Sequence, residues 1–199
     1  AASDVYKRQG LAIAMTVVVA VVYYVKLAPI YPERNRDNTL YLTYVSFKSE
    51  QEAMTYQSAL SYRALQEWIY PLKNVVEVSA RFGNATDYYV QPADRSGDFR
   101  PVQKLVDPAF FRIYELQFLE GHPFTEADLA SGIHTAVISD DIARRLFGTT
   151  EGVVGRSFSM DYVNYRVCGV VRGASFLTGQ SYAQIYVPYS VGLNYKEPS

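Results

Sequence analysis

The sequence predicts an α+β fold, a mixed sheet with short helices, preceded by one transmembrane helix. Three observations lead to this prediction: an uncharged apolar run near the N-terminus, an intermixing of short strand and helix patterns behind it, and a globular composition. Of the 199 residues, 49% are hydrophobic and 20% are charged. This composition is typical of a folded chain and not of a disordered one.

The apolar run has the length of a membrane span. Residues 10–25 carry no charge. Residues 11–28 contain one charged residue, Lys26, whose long side chain can place its ammonium at the membrane–water interface. As a helix, these 18 residues span about 27 Å, close to the hydrocarbon thickness of a bilayer. We therefore assign residues 10–28 to a transmembrane helix. Two alternatives stay open, a signal peptide, for which Tyr23 to Lys26 is a poor cleavage site, and a buried core helix.

The segments on either side of this helix differ in character. Residues 1–9 combine small and charged residues abruptly before the apolar run, and we expect them to be a non-native junction. Without Lys7 and Arg8, charge does not fix the orientation of the helix. Residues 33–199 form the predicted extracytoplasmic domain and carry a net charge of −3. A mildly acidic domain is not a polybasic lipid reader, and the overall net charge of −1 gives nucleic-acid binding no support.

Residues 40–106 have the weaker secondary-structure signals. The patterns predict a strand at 40–47, a loop at 49–57, a helix at 58–70 between a Ser58 cap and Pro71, a strand at 75–82, a turn at 83–87, a return strand at 88–91, a turn at 95–98 and a strand at 99–106.

Residues 107–188 have stronger signals, because caps and turn residues mark the ends of the elements. They predict a short helix from Asp107-Pro108 through Tyr114 and a second helix near Glu126, behind a capping box of Thr125 and Asp128. A strand at 134–138 is followed by a helix from Ser139 to Gly148, with acidic residues in its first turn and Arg144 and Arg145 in its last turn. The last predicted elements are a hairpin, with strands at 158–160 and 165–171 and a turn at 161–164, and a strand at 184–188. Gly121, Gly148 and Gly155 are predicted to adopt positive φ, and Gly169 predicts a bulge or a close backbone approach.

The order of these last motifs resembles a known family. The residues that carry the resemblance are Phe110-Phe111, Leu116, Leu119, Gly121, Phe124 and Asp128, then Ala136 to Ser139, Ala143, Leu146-Phe147-Gly148, Gly155-Arg156 with Phe158, Tyr165 to Val171, and Ile185 to Tyr189. Together with the N-terminal helix, they resemble the periplasmic core domain of MacB-like and FtsX-like ABC transporter permeases. The similarity is good over residues 105–190 and weaker over residues 10–104.

The resemblance implies a function for the chain. It implies the first transmembrane helix and extracytoplasmic domain of a permease subunit in the bacterial cytoplasmic membrane, with three further transmembrane helices after the domain. It also implies an ABC-type ATPase as a partner or fused domain, a permease dimer and a periplasmic adaptor. ATP hydrolysis would then drive export or periplasmic mechanical work. The alternative is a membrane-anchored extracytoplasmic sensor or binding module without transport.

The sequence offers little chemistry of its own. We predict no catalytic, cofactor-binding or metal-binding residue and leave substrate-binding residues unassigned. One cysteine, Cys168, excludes a disulfide framework, and two histidines, His122 and His134, exclude a three-histidine metal site. We interpret Cys168 as a buried small hydrophobe and both histidines as surface or structural residues. An anchored hydrolase is a third, weak alternative, because no nucleophile and base are visible together.

Three further patterns are explained by structure. The pair Asp140-Asp141 is explained by the start of a helix, where acidic residues complement the dipole. Residues 152–157 echo a phosphate loop but lack its first glycine and its lysine. Asn84-Ala85-Thr86 fits a glycosylation sequon but also a plain turn, which we favour.

Overall fold

The computed structural model describes residues 2–48, 55–58, 60, 62–73, 75, 77–79, 81–85, 88–92 and 97–191. The helices are α1 (Ala2–Lys26), α2 (Tyr62–Ala64, continued by the π-helical turn Leu65–Ile69), α3 (Ala109–Ile113), α4 (Glu126–Ser131) and α5 (Asp140–Phe147), with short 3₁₀ turns at Arg36–Asn38 and Tyr189–Val191. The strands are β1 (Val45–Lys48), β2 (Thr55–Ser58), β3 (Arg81–Ala85), β4 (Val90–Gln91), β5 (Gln103–Val106), β6 (Phe118–Gly121), β7 (Thr135–Ser139), β8 (Ser157–Met160), β9 (Val163–Val171) and β10 (Ile185–Pro188).

The main sheet is mixed, as predicted. Within the described residues its order is β3-β5-β10-β7-β9-β8-β4, and β6 also pairs with β9. Strands β5 and β10 are parallel, as are β7 and β9, while the other pairs are antiparallel. Strands β1 and β2 form a separate antiparallel hairpin.

Helices cover both faces of the main sheet. Alternate residues of a strand point to opposite faces, so Ala136 and Ile138 of β7 join one core cluster and Val137 joins the other. Helix α5 packs on the first face through its buried residues Ile142, Ala143 and Leu146. Helix α3 packs on the second face through Phe110 and Phe111, whose rings contact Tyr186 of β10.

Helix α1 stands apart from this core. Residues 5–26 are long and apolar enough to cross a membrane, and the apolar window within them is not buried against the rest of the chain. This finding argues against the alternative of a core helix for this segment. The helix begins at Ala2 without a break at residue 10, and the non-native origin of residues 1–9 stays a prediction.

The structure confirms the helices and the hairpin whose ends were predicted from capping and turn residues. Thr125 and Asp128 form the predicted capping box of α4, and Asp107 accepts a hydrogen bond from the backbone N–H of Phe110 at the start of α3. Helix α5 begins after Ser139 and ends at Gly148, whose φ is 73°. The predicted hairpin is β8–β9, with Asp161 and Tyr162 at positive φ in its turn.

Several predictions for residues 40–106 are wrong. Of the strand at 40–47, only the part from Val45 forms; the predicted loop at 49–57 overlaps β2; and Ser58 lies in β2 and caps no helix. Residues 83–85 belong to β3 and not to a turn. The hairpin of 75–82 with 88–91 does not exist, because β3 pairs with β5 and β4 pairs with β8. Strand β6 was not predicted, and the first half of the turn at 95–98 lies outside the described residues.

Candidate functional site: the junction between helix α1 and the sheet

The end of α1 is held by a side chain from the segment that follows it. The last carbonyls of a helix have no partner within the helix. The guanidinium Nη1 of Arg36 donates to the carbonyl oxygens of Tyr24 at 3.1 Å and Val25 at 2.8 Å. Pro29 and Pro32 are incompatible with a continued helix, so the chain turns back and brings Arg36 under the helix end. The guanidinium thus closes the C-terminus of α1.

The same arginine forms a buried ion pair. Its Nε and Nη2 lie 2.9 and 2.8 Å from Oε2 of Glu33, and the two side chains are only 7% and 3% exposed. The other carboxylate oxygen of Glu33 accepts from the backbone N–H of Ser181 at 2.8 Å and from its hydroxyl at 2.9 Å. A buried charge requires such partners, because an unpaired one is strongly unfavourable. Two side chains therefore link the helix end to the loop before β10.

Tyr31 makes a second link on the same segment. Its hydroxyl donates to the carbonyl of Arg172 at 3.0 Å and accepts from the N–H of Gln117 at 3.1 Å. The guanidinium of Arg172 lies 5.3 Å from the centroid of the Tyr31 ring. Burial raises the pKa of the Tyr31 hydroxyl above its ordinary value. A third contact, from Asn35 to Glu115 at 3.0 Å, ties the segment to the loop before β6.

All these contacts lie at one end of the main sheet. In the registers Ser139 pairs with Val171 and Ile138 with Ile185, so the C-terminal ends of β7 and β9 meet the N-terminal end of β10. We call this end the junction edge. Residues 172–184 connect β9 to β10 there, and Gly173 donates to Asp140 at the start of α5 at 2.9 Å. Although burial acts to raise the pKa of Asp140, this bond and the contact with Arg144 outweigh it and lower the pKa.

The opposite end of the sheet, the far edge, holds a polar cleft of about 380 Å³. Arg112 donates two hydrogen bonds of 2.9 Å to the carboxylate of Glu77. The carboxylate of Asp107 accepts hydrogen bonds from the hydroxyls of Tyr70 at 3.0 Å and Ser79 at 2.6 Å. Burial, and then the charge of Asp107, raise the pKa of Glu126. Arg112 and Asp107 are engaged within the protein, and the cleft presents a mixed polar surface.

The residues considered from the sequence lie apart from the junction or have structural roles. The His134 ring packs edge-on against Tyr165 at 5.3 Å, and Nδ1 of His122 lies 2.8 Å from the carbonyl of Pro123. Cys168 is half-buried, its thiol 3.4 Å from the carbonyl of Ala136, and burial raises its pKa. Among the described residues no three His, Cys, Asp or Glu side chains come together as a metal site.

The remaining motifs are also placed by the fold. Asp140 and Asp141 start α5, as expected, and Asp141 also accepts from Gln184 at 2.7 Å. Residues 152–157 lead into strand β8, so they lack the helix N-terminus that a phosphate loop requires. Asn84 lies in β3, which contradicts the interpretation of a plain turn.

Sequence reasoning missed the junction itself. Glu33 and Arg36 entered the sequence analysis only through their charge, although they stand three residues apart directly after the apolar run. Acidic and basic residues at that spacing, behind two prolines, were the available signal. Ser181 and Gln117 gave none, because they lie far along the chain and each contributes a backbone N–H, to which Ser181 adds its hydroxyl.

The fold and the junction define a class: an α+β domain carried at the end of a single helix that is long and apolar enough to span a bilayer. The chain belongs to the MacB-like periplasmic core domain family, whose model matches residues 10–197. It is therefore a domain of the kind found in MacB-like ABC transporter permeases, and an inner-membrane protein with a periplasmic segment fits its architecture.

Individual relatives agree with this assignment. The chain is 28% identical over 142 residues, 68% of its length, to the macrolide export ATP-binding/permease protein MacB of Shigella dysenteriae. It is 35% identical over 83 residues, 41% of its length, to the pyoverdine export ATP-binding/permease protein PvdT of Pseudomonas entomophila. The matches span only 20% and 13% of those proteins.

The fold is also similar to a solved structure, the extracellular domain of the noncanonic ABC-type transporter YknZ from Gram-positive bacteria. The TM-score is 0.50 at 20% identity, and the match covers 69% of this chain and 66% of that domain.

Proposed function

We propose that this chain is the first transmembrane helix and the extracytoplasmic domain of an ABC transporter permease subunit. Residues 10–28 span the bacterial cytoplasmic membrane and residues 33–199 lie outside the cytoplasm. The domain transmits movement, driven by ATP hydrolysis on a partner ATPase, to the extracytoplasmic side. Export or periplasmic mechanical work follows from that movement.

One observation carries this proposal, the rigid junction between α1 and the sheet. Arg36 binds the last carbonyls of α1, Glu33 binds Arg36, and Ser181 binds Glu33. A tether that only anchors a domain needs no buried charges at its end. A domain that must move with its helix needs a stiff connection, and a buried ion pair with hydrogen bonds on both sides supplies one.

The family supplies the partners in this proposal. The named relatives are ATP-binding/permease proteins, and we propose an ABC-type ATPase, either separate or fused. We also propose a permease dimer and a periplasmic adaptor, for which the far edge and its cleft offer a membrane-distal surface. The chain itself is proposed to need no cofactor and to catalyse no reaction.

The first test is to sequence the native DNA upstream of Gly10 and beyond Ser199. Three further apolar spans of about 20 residues, with an ATPase in the same or an adjacent frame, would support the transporter. A stop codon shortly after Ser199, with no ATPase nearby, would overturn it.

The second test measures coupling without a known substrate. The full permease and its ATPase carry a spin label at Tyr162→Cys, in a Cys168→Ala background, and the distance between the two labels of the dimer is measured before and after ATP and vanadate. We expect ATP to change this distance, and Arg36→Met to reduce the change while ATP hydrolysis continues. Arg63→Met, which removes an exposed ion pair with Glu67, is the control. An unchanged response in Arg36→Met would contradict the proposed coupling.

The cleft at the far edge favours a second candidate, a membrane-anchored sensor or binding module. In that case the cleft would bind a ligand, and no ATPase would be encoded nearby. Glu77→Gln with Arg112→Gln would then abolish ligand-induced stabilisation of the full chain, whereas a transporter domain would show no such loss.

A further inference from the structure

The loop that joins β9 to β10 presents an exposed aromatic side chain on a fixed support. Phe176 is 75% exposed and its neighbour Leu177 is 39% exposed. Thr178 and Ser181, directly behind them, are fully buried. Single exposed apolar residues are common on protein surfaces. Phe176 differs because it projects from a loop that is held in place by hydrogen bonds.

Several hydrogen bonds hold the loop. The hydroxyl of Thr178 donates to the carbonyl of Ser175 at 2.5 Å, and the N–H of Tyr182 donates to the carbonyl of Thr178 at 2.7 Å. The buried ammonium of Lys104 donates to the carbonyls of Gly179 at 3.1 Å and Tyr182 at 2.8 Å. The position of Phe176 relative to the sheet is therefore fixed.

The loop lies at the junction edge, where α1 enters the domain. Ser181 is connected to the carbonyl of Val25 through only two side chains, those of Glu33 and Arg36. Arg172, at the start of the loop, is bound by Tyr31. The loop thus sits beside the end of the apolar helix, whose last turns carry the exposed side chains of Tyr23 and Tyr24.

We propose that Phe176 and Leu177 insert into the interface of the outer leaflet beside α1. The proposal rests on the proposed membrane-spanning role of α1 and adds a second contact with the bilayer. Apolar side chains of this kind lie about 5–10 Å into the boundary between headgroups and acyl chains. The contact would restrict the tilt of the domain on the membrane at a point separate from α1.

The charge of the domain determines the kind of lipid contact. Residues 33–199 carry a net charge of −3, which gives no general attraction to anionic headgroups. The contact is therefore apolar, and zwitterionic lipid suffices for it. The opposite end of β9 offers a comparison, because the turn residue Tyr162 is 91% exposed and lies about 30 Å along the chain from Val171.

The test uses tryptophan quenching in the full chain, reconstituted in phosphatidylcholine vesicles. Trp68, the single native tryptophan, is replaced by phenylalanine. Three variants then carry one tryptophan each: Phe176→Trp at the loop, Tyr162→Trp at the far edge and Val18→Trp in the middle of α1. Each is measured with lipids spin-labelled near the headgroup, with lipids labelled near the chain end, and with aqueous iodide.

The proposal predicts that the headgroup-proximal label quenches Phe176→Trp more strongly than the deep label, while Tyr162→Trp responds only to iodide. The same pattern is expected when anionic lipid is added. If Val18→Trp is quenched by lipid but Phe176→Trp is quenched only by iodide, the loop contact is wrong and the transmembrane helix stands. If Phe176→Trp is shielded from both quenchers, the loop contacts protein, which also overturns the proposal. If Val18→Trp is not quenched by lipid, the proposed membrane placement itself fails.

Discussion

Replacing Arg36 by methionine should destabilise the domain far more than the loss of a surface charge does. Methionine keeps part of the length of the side chain but removes every donor. The carboxylate of Glu33, 3% exposed, then keeps only its two bonds from Ser181. The two carbonyls at the end of α1 lose the guanidinium as well.

The expected magnitude follows from the burial of the pair. Breaking a buried ion pair by removing one partner costs about 3–5 kcal/mol, because a buried charge is left uncompensated. Ser181 still satisfies one carboxylate oxygen of Glu33, so we expect the lower value, about 3 kcal/mol. For a chain of this size that lowers the unfolding midpoint by about 6–12 °C.

The assay is thermal and urea unfolding of the full chain in detergent, followed by near-ultraviolet circular dichroism of the tyrosines. Arg63→Met is the matched control, because its ion pair with Glu67 joins side chains that are 78% and 53% exposed. That pair is worth at most about 0.5 kcal/mol. A double variant, Glu33→Gln with Arg36→Met, removes both charges and keeps an amide oxygen for Ser181. We expect it to recover most of the loss.

Two results would refute this reasoning. The first is an Arg36→Met variant no less stable than Arg63→Met, which would mean that the pair contributes nothing. The second is a double variant as unstable as Arg36→Met alone, which would mean that the loss comes from the exposed helix carbonyls and not from the stranded carboxylate.

Three other substitutions test the packing, the pH response and the caps, each by urea unfolding of the full chain. Gly169→Ala would place a Cβ 2.7 Å from the carbonyl of His122 and should lower the free energy of unfolding by about 1–3 kcal/mol. In Gly179→Ala the Cβ meets no atom within 4 Å, so this control should be neutral, and equal stability of the two variants would contradict the close approach of Gly169 to His122. Burial raises the pKa of Tyr165 to about 12 from an ordinary value near 10, so its contribution to stability is complete below pH 10 and is lost as pH rises to about 12. Tyr165→Phe should make the decline of stability between pH 10 and 12 shallower, and an unchanged slope would contradict the raised pKa. Thr125→Ala removes one half of the capping box and should cost about 1 kcal/mol, and no change in the urea midpoint would show that the box is not needed.

The parts of the fold that were predicted correctly have signals within a few residues. The capping box of Thr125 and Asp128 satisfies orphan N–H groups locally, and Gly148 ends α5 in a conformation that other residues rarely adopt. Such features act over one helical turn and can be recognised before any partner is known. Gly169 is a similar case: its Cβ would collide with Phe118 and His122, and the register of β9 against β7 shifts there.

The wrong predictions depend on partners distant in the sequence. The alternation at 75–82 suggested a strand that would pair with 88–91 through a turn. Instead, Val90 pairs with Met160, seventy residues later, and β3 pairs with β5. Strand β6 has only four residues and forms because the edge of β9 is available beside it. Period-two patterns predict which residues are half-buried, but they do not select the neighbouring strand.

The candidate site escaped prediction for the same reason, and this bears on its role. A helix that merely tethers a domain could end in any solvated segment, whereas here the segment after α1 contacts the loops before β6 and between β9 and β10 through Tyr31, Glu33 and Asn35. Movement of α1 relative to the sheet must break these contacts or carry the sheet with it. Because the Glu33–Arg36 pair is buried, breaking it is the costlier course. We therefore expect a displacement of the helix end to be transmitted to the loop of residues 172–184 and to the strands β9 and β10 that it joins.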